Sequence, residues 1–551
     1  MRICRNMLLR LVVGIIILLV IRPENTGLID TAQAQGPEGL DPFVSKPVTP
    51  TLSRAVRQLP TLPISQSAGP VPQVNPRRVN PLGQLDWPGE VGPPDPLLPR
   101  SSAQTLIRTP TVITSFDGMR VGFGGSGVPP DPIGDVGPNH YVQMVNASFA
   151  IYNKNGGLLT GPTAINQLWA GAGGNCEANN KGDPVVLYDG LADRWLLSQF
   201  ASPNHICAAI SQTPDPTGAY YRYEFDVSEF PDYFKFGVWP NGYYMSANES
   251  SYTAYAFNRA KMLAGQAATF QKFTGQTNLL LPSDLDGPFA PPSESPNYFY
   301  TFKDNAFPAH GGGVDRLEVF AFHTDFTTPA NSTFTLVASI PIASFTYTVC
   351  GSFNFDCIPQ PAPGEGVDAV SEWPMWRLAY RNFISHEALV GNFTVNVGSN
   401  QAGIRWFELR KSGSGTWTLY QEGTHAPDAH HRWMGSAAMD KDGNIALGYS
   451  TSSTTLTPTL RYATRLASDP LGTLQSEVTL IAGGGVQTSG GNRWGDYSAM
   501  SIDPADECTF WYTGEYYAAT SGNSWHTRIG TFKIPTCTPY VKIFMPLILK
   551  Q

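Results

Sequence analysis

Charge is scarce in this chain. Only 15 % of its 551 residues are Asp, Glu, Lys or Arg, and no block of like charges occurs. With 36 basic against 44 acidic residues the formal net charge is -8, which excludes the basic face that a nucleic-acid phosphate backbone requires. Long apolar runs are also missing. The most extended, Leu11 to Ile21, is eleven residues long, too short for a comfortable bilayer span. Cysteine is sparse, seven in all, with no CxxC pair and no Cys/His spacing of a zinc site. No metal or other cofactor is expected.

What is abundant is glycine, proline and aromatic residues: 54 Gly, 47 Pro and 12 % Phe, Trp and Tyr. That mix is poor for helices and rich in turns and strand formers. The first 34 residues read as an export signal. Arg2, Arg5 and Arg10 precede the apolar run, and Ala32-Gln33-Ala34 gives small residues at a cleavage site. The wide gap between Ile21 and Ala34 leaves an uncleaved anchor as the other reading. Cys4 precedes the apolar run and cannot be a lipoprotein cysteine. The mature chain then has no membrane span and carries six cysteines: Cys176, Cys207, Cys350, Cys357, Cys508 and Cys537. An even count in an exported chain points to disulfides. Sequential pairing, 176–207, 350–357 and 508–537, is the simplest of the alternatives.

Residues 35–110 carry a proline about every five positions and form an extended spacer that lacks a core, part of which can strap onto the following domain. Residues 111–537 repeat one pattern: an apolar strand, a polar turn and a second apolar strand. Val185 to Leu197, Lys235 to Met245, Ser436 to Leu447 and Ser498 to Trp511 are clear cases. Gly134 to Met144, Gly287 to Phe302 and Arg377 to Val390 are weaker ones, and the interval holding Cys350 to Asp368 contains an insertion. Repeats long enough for a four-stranded sheet predict an all-β fold, a single β-propeller. Seven blades is the count, with six or eight as neighbours. Strand-like residues 111–114 and 528–534 are expected to share the closing blade. The tail, 538–551, is apolar and interrupted by Pro546. It is either a sorting tag or a last docked strand.

Two turn clusters favour a bland reading. Asp440 to Asn444 alternates oxygen ligands but has ordinary turn chemistry. His425, Asp428, His430 and His431 read as a loop, because adjacent histidines on a strand face opposite ways. A more specific constellation is repeated. Asp183, Asp232 and Asp496 each precede a hairpin, near where an innermost strand would begin. With Arg377, Arg432, Arg493, Trp433 and Trp494 they are expected to line one mouth of the ring, where carboxylates, guanidinium groups and aromatic planes suit a glycan. The competing reading is that these groups bond neighbouring blades together.

Ser501-Ile502-Asp503 followed by Thr509-Phe510-Trp511 resembles a loose Asp-box, the hairpin of sialidase-like propellers. Pro504 and a longer turn depart from that pattern. The box is a fold mark in that family, so the resemblance implies architecture and not catalysis. Arg432-Trp433-Met434-Gly435, Arg493 to Ser498 and Thr509 to Thr513 also resemble a group of secreted bacterial propeller-like proteins with no agreed activity. The expectation is a secreted or cell-surface binding module for an extracellular glycan or protein, with no nucleic-acid partner. The alternative is an extracellular glycoside hydrolase of sialidase-like type. No spacing selects the two carboxyls that glycoside hydrolysis needs, so no catalytic residue is assigned.

Overall fold

The structure is a computed structural model that describes residues 41–64, 94–98 and 110–538, apart from 126, 308–309, 350–355 and 490. Residues 1–34, read from sequence as an export signal, most of residues 35–110, Cys350 and the residues beyond Thr538 lie outside the described residues.

The chain forms mainly antiparallel sheets taken up in sequence order. The first comprises Ile133–Val136, His140–Val145, Ser148–Asn153 and Leu158–Ala164. The second begins at Val185–Asp189 and the third at Asp232–Val238. An eight-stranded sheet follows, in which Leu281–Asp286 does double duty. Its first residues pair antiparallel with Asn297–Lys303, and Ser283 to Asp286 pair parallel with Leu378 to Arg381 of strand Pro374–Asn382. Sheets starting at His431–Met439 and Ala499–Ile502 complete the series.

These leading strands pack on one another in order, and Ala499–Ile502 returns to Ile133–Val136, so the set closes into a ring. The last sheet is finished by an early strand. Val112–Val121 pairs antiparallel with His526–Lys533, placing Val112 opposite Phe532 and Phe116 opposite Ile529. Residues 111–114 and 528–534 therefore do share a sheet, as their sequence suggested. The architecture is a β-propeller.

Two sequence expectations are corrected. The fourth repeat strand is Leu281–Asp286 and not Gly287 to Phe289, because Gly287, Pro288, Pro291 and Pro292 form the turn that follows. The spacer is not without core. Phe43–Val44 pairs with the outer strand Phe270–Gln276, and Thr51–Leu52 pairs with Tyr220–Asp226. Val56 is fully buried, and the Leu62 N–H donates to Pro162 O at 2.7 Å. Asp95 is pinned by Arg405 at 2.8 Å, with both side chains buried. Proline-rich chain can still add edge strands, since Phe43, Val44, Thr51 and Leu52 lie between its prolines.

Disulfides join Cys176 to Cys207 and Cys508 to Cys537. Cys357 is described, but its expected partner Cys350 is not. Among the described residues no helix is long and apolar enough to cross a membrane.

Candidate functional site

The start of several leading strands is conformationally special. Asp131, Asp183, Tyr233 and Met434 adopt positive φ of 44°, 44°, 48° and 52°, which non-glycine residues rarely do. Register shifts fall at the same place, between Asp232 and Lys235 and between Trp433 and Ser436. Such irregularities re-aim side chains out of the pleat, and here they gather charge from separate sheets.

Lys235 is central to this chamber and fully buried. Its Nζ lies 3.7 Å from the Tyr233 ring centroid and 4.0 Å from that of Tyr497, held as a cation between two aromatic faces. Nζ donates to Phe234 O at 3.0 Å. Around it stand Asp183, Asp131, Asp496 and Asp232, all close enough to interact electrostatically. Burial holds the Lys235 ammonium down to about 8 against the pull of those carboxylates. Burial, then the like charge of Asp496, pushes Asp131 up to about 7. Burial, then Asp131 and Asp232, raises Asp183 well above the usual carboxylate range.

Hydrogen bonds link these groups across the ring. Asn146 accepts from the Asp183 N–H at 2.7 Å and donates to Asp131 Oδ2 at 2.6 Å. Asp131 Oδ1 accepts from the Asp496 N–H at 2.7 Å, and Arg493 binds both Asp496 oxygens at 2.7 and 2.8 Å. Glu515 accepts from the Gly495 N–H, while burial raises its carboxyl and leaves Oε1 without a partner among the described residues. The Asp183 carboxyl makes no hydrogen bond with the described residues, and its oxygens are not fully closed off from solvent, although only 5 % of Asp183 is exposed.

The insertion crosses this end of the ring. Residues 356–373 bond to the far side: Gln360 accepts from the Gln487 N–H at 2.9 Å, and the Asp368 N–H donates to Asn492 O at 2.9 Å. Ser452 donates to Pro359 O, and Trp373 packs 4.5 Å from the Tyr233 ring. The segment thus packs against the elements that carry this charged cluster.

The eight residues singled out in the sequence do not form one group. Asp183, Asp232, Arg493 and Asp496 converge in the chamber. Arg377 lies further along the channel, donating to Asp284 Oδ2 at 3.1 Å, to Asp286 and to Met500 O. Arg432 is held elsewhere, bidentate on Glu477, which also receives Tyr449 and Arg461. His425 ends a strand and contacts Tyr449 and Glu477, so it belongs to that network and not to a loop. Trp433 and Trp494 are buried and pack edge to face at 5.7 Å. Several of these groups bond one sheet to the next, as the competing reading holds. The Asp440 loop is a turn, its Oδ1 accepting from the N–H groups of Asp442 and Asn444.

Sequence reasoning missed Asp131 and Lys235. A usable signal was present: Asp131-Pro132-Ile133 and Asp183-Pro184-Val185 are the same Asp-Pro entry to a leading strand. Lys235 stands out as a cation within Tyr233-Phe234-Lys235-Phe236. Among the described residues no group of three or more His, Cys, Asp or Glu is arranged to hold a metal ion.

No family model matches the chain, and no curated protein matches it. Solved structures do. A polysaccharide lyase, an ulvan lyase, is 11 % identical, with 72 % of this chain and 91 % of that one covered and a TM-score of 0.38. A lectin from Burkholderia pseudomallei is 12 % identical, with 72 % and 94 % covered and a TM-score of 0.36. The WD40 domain of SCAP from fission yeast is 9 % identical, with 72 % and 81 % covered and a TM-score of 0.32. At this level the similarity says nothing about what the chain binds.

Proposed function

We propose that this chain is a seven-bladed β-propeller, exported by residues 1–34, that binds a hydroxyl-rich extracellular ligand, the end of a glycan, in the chamber around Asp183 and Lys235. The propeller occupies 111–537, and 538–551 follows it as a tail. Two disulfides fit an oxidising compartment.

The Asp183 carboxylate carries the reading. A mostly buried carboxyl with no hydrogen-bond partner among the described residues is costly. Sugar hydroxyls supply donors to Asp183 and oxygens to accept from Lys235 Nζ, and the Tyr233 and Tyr497 rings give apolar faces beside them. Entry requires residues 356–373 to lift from Gln487 and Asn492. A hydrolase of glycans is the second reading, favoured by Glu515, a carboxyl that burial pushes well above the usual carboxylate range beside the Arg493–Asp496 pair.

A glycan array and a panel of chromogenic glycosides, run on the full chain and on Asp183→Asn, test both readings. Binding that weakens at least tenfold in Asp183→Asn, without turnover, is the expected result. Turnover abolished by Glu515→Gln would replace the binding reading with the catalytic one. Array binding untouched by Asp183→Asn would remove the ligand from this chamber.

A further inference from the structure

A buried cluster in the fourth sheet brings an amine against an amide. Lys303 closes the strand Asn297–Lys303, and Asn278 stands in the link between Phe270–Gln276 and Leu281–Asp286. Both side chains are buried. Lys303 Nζ meets Asn278 Oδ1 and donates to Thr277 Oγ1 at 2.9 Å. Asn278 Nδ2 lies 2.7 Å from His310 Nε2. Glu318 is the register partner of Thr301, and its Oε2 stands 3.9 Å from Lys303 Nζ. The surrounding wall is aromatic, with the His310 ring packed on Phe307 at 4.8 Å and on Tyr347 at 5.6 Å.

The hydrogen bonds of this cluster do not close while Lys303 is charged. The Asp304 N–H donates to His310 Nδ1 at 2.9 Å, so the ring carries its proton on Nε2. That N–H would face the Asn278 NH2, donor against donor. Turning the amide over gives His310 an oxygen and sets the NH2 against Lys303. An ammonium has no lone pair to receive it, whereas a neutral amine does. Burial holds Lys303 down to about 8, which brings the neutral form within reach. A desolvated neutral lysine is a nucleophile.

We propose that Lys303 and Asn278 join in an intramolecular isopeptide bond. Lys303 Nζ attacks Asn278 Cγ, the new N–C bond forms and the Cγ–Nδ2 bond breaks. His310 Nε2–H donates to the amide oxygen and stabilises the negative charge that gathers there. Glu318 takes one proton from the attacking amine and passes it to the departing nitrogen, which leaves as ammonia. The step consumes only the two side chains, and since both belong to this chain no path from solvent is needed. The bond ties the link between the third and fourth sheets to the second strand of the fourth.

Peptide mass spectrometry of the full chain, reduced, unfolded and digested with trypsin, tests this. Residues 273–316 offer two cutting sites, Lys303 and Arg316. Trypsin passes over a lysine whose amine is acylated, so the expected product is one peptide, 273–316, lighter by one ammonia. Chymotrypsin then cuts at Phe289 or Tyr298 and leaves two pieces still joined. Lys303→Arg keeps the cation and the tryptic site, and should release 273–303 at full mass. Glu318→Gln should lower the joined fraction at least tenfold. The wild-type peptides decide by themselves, which keeps the proposal falsifiable if a variant fails to fold. Cleavage after Lys303 at full mass, or loss of ammonia with that cleavage intact, as a succinimide at Asn278 would give, overturns the bond. A joined fraction unchanged in Glu318→Gln overturns the part given to Glu318.

Discussion

Buried carboxylates make the stability of this protein depend on pH in an unusual sense. Asp131 keeps its proton in the folded chain up to about 7, against 3.8 for an ordinary Asp. Between those values the folded state holds a proton that the unfolded state has released, so stability falls as pH rises through that window. Asp183, raised by the same burial, acts in the same direction. Lys235, lowered from 10.5 to about 8, acts oppositely above pH 8, where the unfolded chain binds the extra proton and stability climbs with pH. The buried His310 and the half-buried His431, held down to about 3 and about 4, also favour higher pH up to 6.5. The chamber's part is therefore isolated as a difference. Relative to wild type, Asp183→Asn should gain stability as pH is raised from 5 to 8. Unfolding curves at several pH values check this, and parallel wild-type and variant profiles would contradict it.

Single strands matter unequally. Cys508 precedes Thr509–Tyr516 and Cys537 follows His526–Lys533, so this disulfide ties together the ends of two paired strands. It closes a separation of 29 residues, worth about 3.6 kcal/mol on the chain-entropy model. A Cys508→Ser, Cys537→Ser double variant should melt lower than wild type, and an unchanged melting curve would show that strand pairing alone suffices. The strap makes a sharper claim. Deleting residues 41–64 removes two edge strands and the buried Val56, and should lower the thermal midpoint, whereas a spacer without core could be removed at no cost. The edge strands Tyr220–Asp226 and Phe270–Gln276 would then present open hydrogen-bonding groups, so light scattering of the truncated chain should rise with concentration.

At the scale of the whole molecule, the repeat of strand, turn and strand was readable because Asn-Gly and Asp-Gly turns punctuate β-rich runs, as in Pro240-Asn241-Gly242. The closing pair was readable because its two strand-like stretches were left without partners at the ends of the repeat series. The site was only half readable. Asp183, Asp232 and Asp496 share a place in the repeat, so position alone brought them together. Arg432 shares it too, yet Glu477, 45 residues on, claims it, and nothing local announces that pairing. Lys235 was hidden for a related reason, because which aromatic rings enclose it depends on Tyr497 of a remote sheet. Ring closure has a further consequence, which concerns order in time. A chain is made from its N-terminus, and Val112–Val121 waits for His526–Lys533, some 400 residues later, before its sheet exists. Until then the unfinished product has no seam to lock. A chain cut short near residue 525 would keep Ala499–Ile502 against Ile133–Val136 and still leave Val112–Val121 without its partner, so the last sheet is the one whose completion marks a finished chain.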